Sequence, residues 1–263
     1  MILNSITWDV NPDIVSFWGL TIRYYGVLFA SAFFFGYLIM QKIFKKEGLT
    51  VELLDKLTVY VALGTIIGAR LGHCLFYDPS FYLQHPIEIL KIWRGGLASH
   101  GAAIGILIAL YYFSKKNKKP YLWILDRIVI VVALAGFFIR MGNLMNSEIY
   151  GIPTKLPWGF IFVRNGEVIP KHPTQIYEAL SYLLIFILLY SIYNKKGTNV
   201  RQGLIFSIFL ILLFTVRFLI EFIKEVQVDF EQTMALNMGQ WLSIPFILIG
   251  VYLLYQSYKQ KPA

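Results

Sequence analysis

Charge is what this sequence has least of. Only 15% of its 263 residues are Asp, Glu, Lys or Arg, where a soluble domain of the same length carries about a quarter. Apolar residues make up 57%, which argues against a compact soluble domain and for a bundle of membrane spans. Cysteine is almost missing as well. The single Cys74 lies in an apolar run and cannot form an internal disulfide, so it says little about redox compartment. No internal repeat, low-complexity tract or separate soluble domain is visible. The first apolar run has no basic stretch before it and is long enough to span, so it reads as a retained helix and not as a cleavable signal. Neither a metal-ligand spacing nor a glycine loop for nucleotide phosphates occurs. No metal and no cofactor is expected.

What is present is a series of apolar runs. A hydrocarbon core of roughly 30 Å needs about 20 residues of helix. Runs near that length fall at Ile22–Ile43, Leu53–Phe76, Leu97–Phe113, Tyr121–Ile139, Ile176–Tyr193, Leu204–Ile223 and Trp241–Tyr255. The expected fold is an all-α membrane protein of about seven transmembrane helices, one integral domain over 1–263. The formal charge of +9 sits in short runs between spans, a placement that suits topology better than nucleic acid. Lys42, Lys45 and Lys46 follow the first span, and Lys115, Lys116, Lys118 and Lys119 the third. Lys195, Lys196 and Arg201 follow the fifth, and Lys259 and Lys261 the seventh. If the spans alternate, these groups share the cytoplasmic side, with the N-terminus outside and the C-terminus inside. The connections at 77–96 and 224–240 hold mixed charge. The connection at 140–175, with four prolines, is long for a turn and reads as a small extracytoplasmic head between spans four and five. Gly64, Gly68 and Gly72, four residues apart, read as a helix-packing stripe.

Charges inside spans are costly and are functional candidates by default. Arg70, His100, Arg140, Arg217 and Glu221 all fall toward outer span ends, with Tyr25 at the same depth. Arg127 and Lys56 lie near inner ends and read as ordinary anchors. Arg217 and Glu221, at i and i+4, are expected to share a helix face. The arginine surplus calls for an anion, and a lipid phosphate suits the donor fork of arginine. The densest stretch is Arg140–Gly151, which offers Arg140, Asn143, Asn146 and Glu148, with Gly142 and Gly151 for close backbone approach. The segments Gly95–Gly101 and Lys171–Glu178 lie on the same face.

At these residues the chain resembles the bacterial prolipoprotein diacylglyceryl transferase family. The likeness is carried by Arg140–Gly151 and by Arg23-Tyr24-Tyr25-Gly26, Gly68-Ala-Arg70-Leu-Gly72 and Gly95–Gly101. It continues through His172–Glu178, Arg217–Glu221 and Met238-Gly239-Gln240. Two positions depart from that family's common pattern: Leu213 stands for a tyrosine and Lys224 for an arginine. The resemblance implies an enzyme of the bacterial cytoplasmic (inner) membrane, with its active site toward the outer face. It implies transfer of the diacylglyceryl group of phosphatidylglycerol to the lipobox cysteine thiol of a preprolipoprotein that still carries its signal peptide. Glycerol phosphate leaves, and this is the first step of lipoprotein maturation. Under that reading Arg140 and Arg217 clamp the phosphate, while Asn143, Asn146 and Glu148 orient the headgroup. His100 takes the thiol proton, with Glu148 as the other possible base. Tyr25 positions His100 or the substrate, Glu221 fixes Arg217, and Arg70 and Gln175 complete the substrate-binding set. A transporter or channel with an outer anion site is the rival, although such sites commonly lie near the midplane of repeated halves. A receptor-like or scaffolding bundle is a third reading, and it predicts no lipid turnover.

Overall fold

The computed structural model describes residues 5–18, 20–226, 231 and 234–259; Lys261 and part of the 224–240 connection lie outside them. Strands β1 (Ile6–Trp8), β2 (Asp13–Phe17) and β3 (Leu20–Arg23) precede the helices α1 (Tyr24–Lys46) and α2 (Val51–Phe76). Two short helices, α3 (Pro79–Gln84) and α4 (Pro86–Ile89), lead to α5 (Ser99–Asn117) and α6 (Tyr121–Met145). Strand β4 (Phe160–Phe162) and the helices α7 (Thr174–Lys196), α8 (Leu204–Ile220) and α9 (Met238–Lys259) follow. Six of these helices are long and apolar enough to cross a membrane, so the chain is a multi-pass, helical membrane protein. The expected third span is α5, which is not among the six. Ser99, His100 and Gly101 open it and Lys115 and Lys116 close it, leaving it less apolar than the others. The first helix starts at Tyr24 and not at Ile22, because the antiparallel hairpin β2–β3 uses the residues up to Arg23.

The chain forms two compact units, one from the described residues up to Ile39 and from Asp126 onward, the other Met40–Leu125. In the second unit the glycine stripe of α2 meets α5 backbone to backbone. A Cβ on Gly64 would stand 2.8 Å from the Ala109 Cβ, and one on Gly72 would stand 2.6 Å from the Gly101 Cα. A Cβ on Gly68 would collide with the Gly101 carbonyl. Close approach of small residues takes the place of hydrophobic driving force between helices in lipid. Gly68→Leu is therefore expected to cost about 1–3 kcal/mol or more by overpacking, read as a lower melting temperature in detergent. An unchanged melting curve would contradict this contact.

In the first unit, Asp126 is fully buried and accepts from the Gly203 N–H at 2.7 Å and the Phe206 N–H at 2.8 Å. A carboxylate satisfying free amides at a helix start ties α6 to the beginning of α8. Arg127 is 1% exposed, with its guanidinium 5.9 Å from the Tyr193 ring centre. Its burial makes it an interior group of this unit and not an exposed interfacial anchor.

Candidate active site

Helix α6 continues to Met145, past the expected span end at Ile139. Arg140 and Asn143 therefore leave its last turns three residues apart, on one face. The Arg140 Nη1 donates to Asn143 Oδ1 at 3.0 Å, and Asn143 Nδ2 donates to Glu148 Oε1 at 2.7 Å. Asn146 Nδ2 donates to the same carboxylate oxygen at 3.2 Å. Glu148 is brought back over Asn143 by two left-handed residues, Ser147 (φ 54°) and Ile149 (φ 62°), and its N–H donates to the Asn143 carbonyl at 3.0 Å. Left-handed backbone in a residue with a side chain costs energy, most of all in a β-branched one. Strain of this kind persists only where neighbours over-determine it.

Those neighbours come from the start of α7. Thr174 Oγ1 donates to the Ile149 carbonyl at 2.8 Å, and Gln175 Nε2 to the Glu148 carbonyl at 2.7 Å. Gln175 thus holds the loop backbone. Gly142 lets the Tyr25 ring lie flat on α6, where a Cβ would stand 2.7 Å from the Tyr25 Cδ2. There Tyr25 is within electrostatic reach of both Arg140 and Glu148. One turn beyond Gln175, the Glu178 carboxylate pairs with Arg140 Nε at 2.5 Å and lies 3.7 Å from Lys224 Nζ. Lys224 is also 3.5 Å from Glu221.

The Arg217–Glu221 pair is not formed. The Glu221 N–H still donates to the Arg217 carbonyl, so the two residues keep their helical spacing, and a 3₁₀ turn follows at Glu221–Ile223. Glu221 turns instead to Lys224 and lies over Gly239, where a Cβ would stand 2.7 Å from its carboxylate carbon. Among the described residues Arg217 has no ion pair. It is within electrostatic reach of Lys224 and Tyr182.

The second unit carries the other two candidates. Arg70 is 4% exposed and gives its guanidinium to backbone carbonyls: Nε to Ile89 at 2.9 Å, Nη1 to Gly95 at 2.6 Å and Gly96 at 3.2 Å, and Nη2 to Glu88 at 2.5 Å. Its charge holds the α4–α5 connection in place. His100 is exposed in the first turn of α5, and its Nε2 is 3.3 Å from the Tyr77 hydroxyl, with the two rings stacked.

The 140–175 connection is folded. Its strand β4 pairs in parallel with β1, and the Trp8 indole donates to the Leu144 carbonyl at 3.1 Å. Leu144, Phe160 and Phe162 are buried there against Trp8, Met141, Tyr150 and Ile176. Gly151 sits where a Cβ would strike the Ile223 carbonyl. Lys171 is paired with Glu225 at 2.7 Å and Glu167 at 3.3 Å. Burial holds the His172 imidazole below its ordinary pKa. The folded state thus binds this proton less readily than the unfolded chain, so stability is lost as pH falls below the unfolded value near 6.5. His172→Gln is expected to remove that part of the pH dependence of melting between about pH 5 and 7. An identical pH dependence in both proteins would rule His172 out as its source.

Glu178, Tyr182 and Tyr77 were not singled out by sequence. Glu178 carries the same signal as Arg217, a charge in an apolar span, and closes the Lys171–Glu178 segment. Tyr77 gave no signal, because its contact with His100 spans 23 residues. Among the described residues, no group of three or more His, Cys, Asp or Glu is placed to hold a metal ion.

The family model described as prolipoprotein diacylglyceryl transferase matches residues 12–256. A phosphatidylglycerol–prolipoprotein diacylglyceryl transferase of Chloroherpeton thalassium is 48% identical over 256 residues, covering 97% of this chain and 95% of that protein. Its counterpart in Tolumonas auensis is 46% identical over 255 residues, covering 97% and 98%. The one in Bacteroides fragilis is 42% identical over 272 residues, covering 99% and 98%.

Proposed function

This chain belongs to the prolipoprotein diacylglyceryl transferase family, and we propose that it catalyses the transfer of a diacylglyceryl group from phosphatidylglycerol to a prolipoprotein thiol. The supporting observation is the assembly of Arg140, Asn143 and Glu148, with Arg217, which has no ion pair among the described residues, in electrostatic reach of the same Lys224 and Tyr182 as Arg140. That arrangement offers positive charge and amide donors at the end of a membrane helix, where a lipid headgroup lies. A transporter site is less well supported, because these groups meet at a span end and in a head loop, not at broken helices near the midplane.

The acceptor is the lipobox cysteine of a preprolipoprotein with its signal peptide attached, and the site opens to the outer face of the bacterial inner membrane. The thiol sulfur attacks the glycerol carbon that bears the phosphate ester. The carbon–oxygen bond breaks, a thioether forms, and glycerol phosphate leaves with the bonding electrons. His100 takes the thiol proton, since a free thiol titrating near 8.5 is mostly protonated at neutral pH. Arg140 and Arg217 stabilise the charge gathering on the departing phosphate. Asn143, Asn146 and Glu148 receive the glycerol hydroxyls, and Tyr25 supports them. Gln175 and Arg70 act indirectly, each by holding the backbone of a loop, and Glu221 acts through Lys224.

The test is transfer by the purified protein from labelled phosphatidylglycerol to a lipobox peptide, compared with phosphatidylethanolamine and phosphatidylcholine. Thioether product with phosphatidylglycerol alone is the expected result. Ion flux through liposomes without lipid consumption would overturn the reading in favour of a channel.

A further inference from the structure

A chain of ion pairs runs through the first unit. Arg140 meets Glu178, Glu178 faces Lys224, and Lys224 faces Glu221, at 2.5, 3.7 and 3.5 Å. Glu178 is 1% exposed, Lys224 6% and Glu221 8%. Buried charges of this kind are poor sources of stability, because desolvation consumes most of what their attraction returns. In a membrane bundle they mark function. The two cations Arg140 and Lys224 are matched by the two carboxylates Glu178 and Glu221. Glu148 is held by the amides of Asn143 and Asn146. Among the described residues Arg217 is left with no contacting carboxylate.

We propose that Glu178 is a positioning residue for the transfer reaction. It holds Arg140 by its Nε and occupies Lys224, so that the outer edge of the Arg140 guanidinium faces the departing phosphate and Arg217 is free to bind the lipid. This rests on the reading that the site takes a phosphatidyl headgroup. It weights the two arginines differently: Arg217 acts mainly by seating the phosphate in the ground state, and Arg140 mainly as charge develops. Loss of Arg217 then acts on KM, and loss of the Glu178 hold acts on kcat.

Initial rates against phosphatidylglycerol concentration test this with full-length protein in detergent. Glu178→Gln keeps the shape and removes the charge; kcat is expected to fall about 100-fold, the size of one misdirected transition-state donor. Arg217→Lys is expected to raise KM for the lipid. Glu178→Gln leaves the cations Arg140 and Lys224 with Glu221 alone, one positive charge in excess, so adding Lys224→Met, which removes that excess, is expected to return about tenfold of the loss. A merely structural role for Glu178 predicts the reverse, since a second buried deletion adds its own damage. The proposal is overturned if Glu178→Gln stays within about threefold of the parent rate, well under the loss of one transition-state donor, or if the double variant is no better than the single. If Glu178→Gln does not fold, Glu178→Asp keeps the charge one methylene short. It is expected to lower kcat with KM unchanged, and a kcat equal to the parent's overturns the proposal. A parent protein inactive on phosphatidylglycerol refutes the function itself, whereas an active parent with parent-like Glu178 variants refutes only this role.

Discussion

Arg140→Ala is expected to lower diacylglyceryl transfer by about 10²–10³-fold, the usual consequence of removing one preorganised donor from a developing negative charge. The expectation rests on how Arg140 is held. Its Nε is engaged by a carboxylate that is 1% exposed, and its Nη1 by an asparagine that in turn holds Glu148. The side chain is thus aimed before any substrate arrives. Arg140→Lys is the sharper experiment. A lysine keeps the charge but carries its three donors on one nitrogen, without the fork that reaches Glu178 and Asn143 from separate nitrogens. Its activity is expected to lie near that of the alanine variant. Near-parent rates in both variants would sink the phosphate-clamp assignment, and a lysine variant close to the parent would reduce Arg140 to a simple positive charge. The alanine variant also leaves Glu178 as a buried carboxylate with one partner fewer, so melting in detergent should be measured alongside the rate.

His100→Gln is expected to slow transfer by about 10²–10⁴-fold at neutral pH, the range of a lost general base. The deficit should narrow as pH rises. The acceptor thiol ionises unaided near 8.5, and above that pH the base has little left to do. Glutamine keeps a polar side chain of similar reach, so the Tyr77 contact at 3.3 Å is the interaction most open to repair. If rate and pH profile both match the parent, His100 is not the base, and Glu148→Gln becomes the variant to measure. Glu148 is the weaker candidate on structural grounds. Two amide donors converge on its Oε1 at 2.7 and 3.2 Å, so that oxygen is already engaged before a thiol arrives.

The membrane character, the approximate spans and the Arg140–Gly151 cluster were all legible in the residues. Each is a local property. Apolar run length sets a span, charge within a run marks a site, and small residues four apart mark close helix contact. The glycine stripe of α2 meets Gly101 and Gly105 of α5 as its spacing required. The resemblance added the reaction, which composition does not contain.

Tertiary structure decided the partners. Arg217 and Glu221 satisfy the i and i+4 spacing, and the Glu221 N–H donates to the Arg217 carbonyl, yet the Glu221 carboxylate turns to Lys224, because helix-face spacing does not say which cation a carboxylate meets. Arg70 is one of the arginines the sequence offers to an anion, but four of its five donors go to carbonyls of residues 18 to 26 positions away. Glu178 and Lys224, 46 residues apart in sequence, meet only in the folded chain. By itself the sequence determined which residues carry charge into the membrane, since the cost of placing them there is paid residue by residue. Which of those charges are neutralised and which remain free for a substrate was decided by the packing of α6, α7 and the end of α8, because ion pairing depends on distance through space.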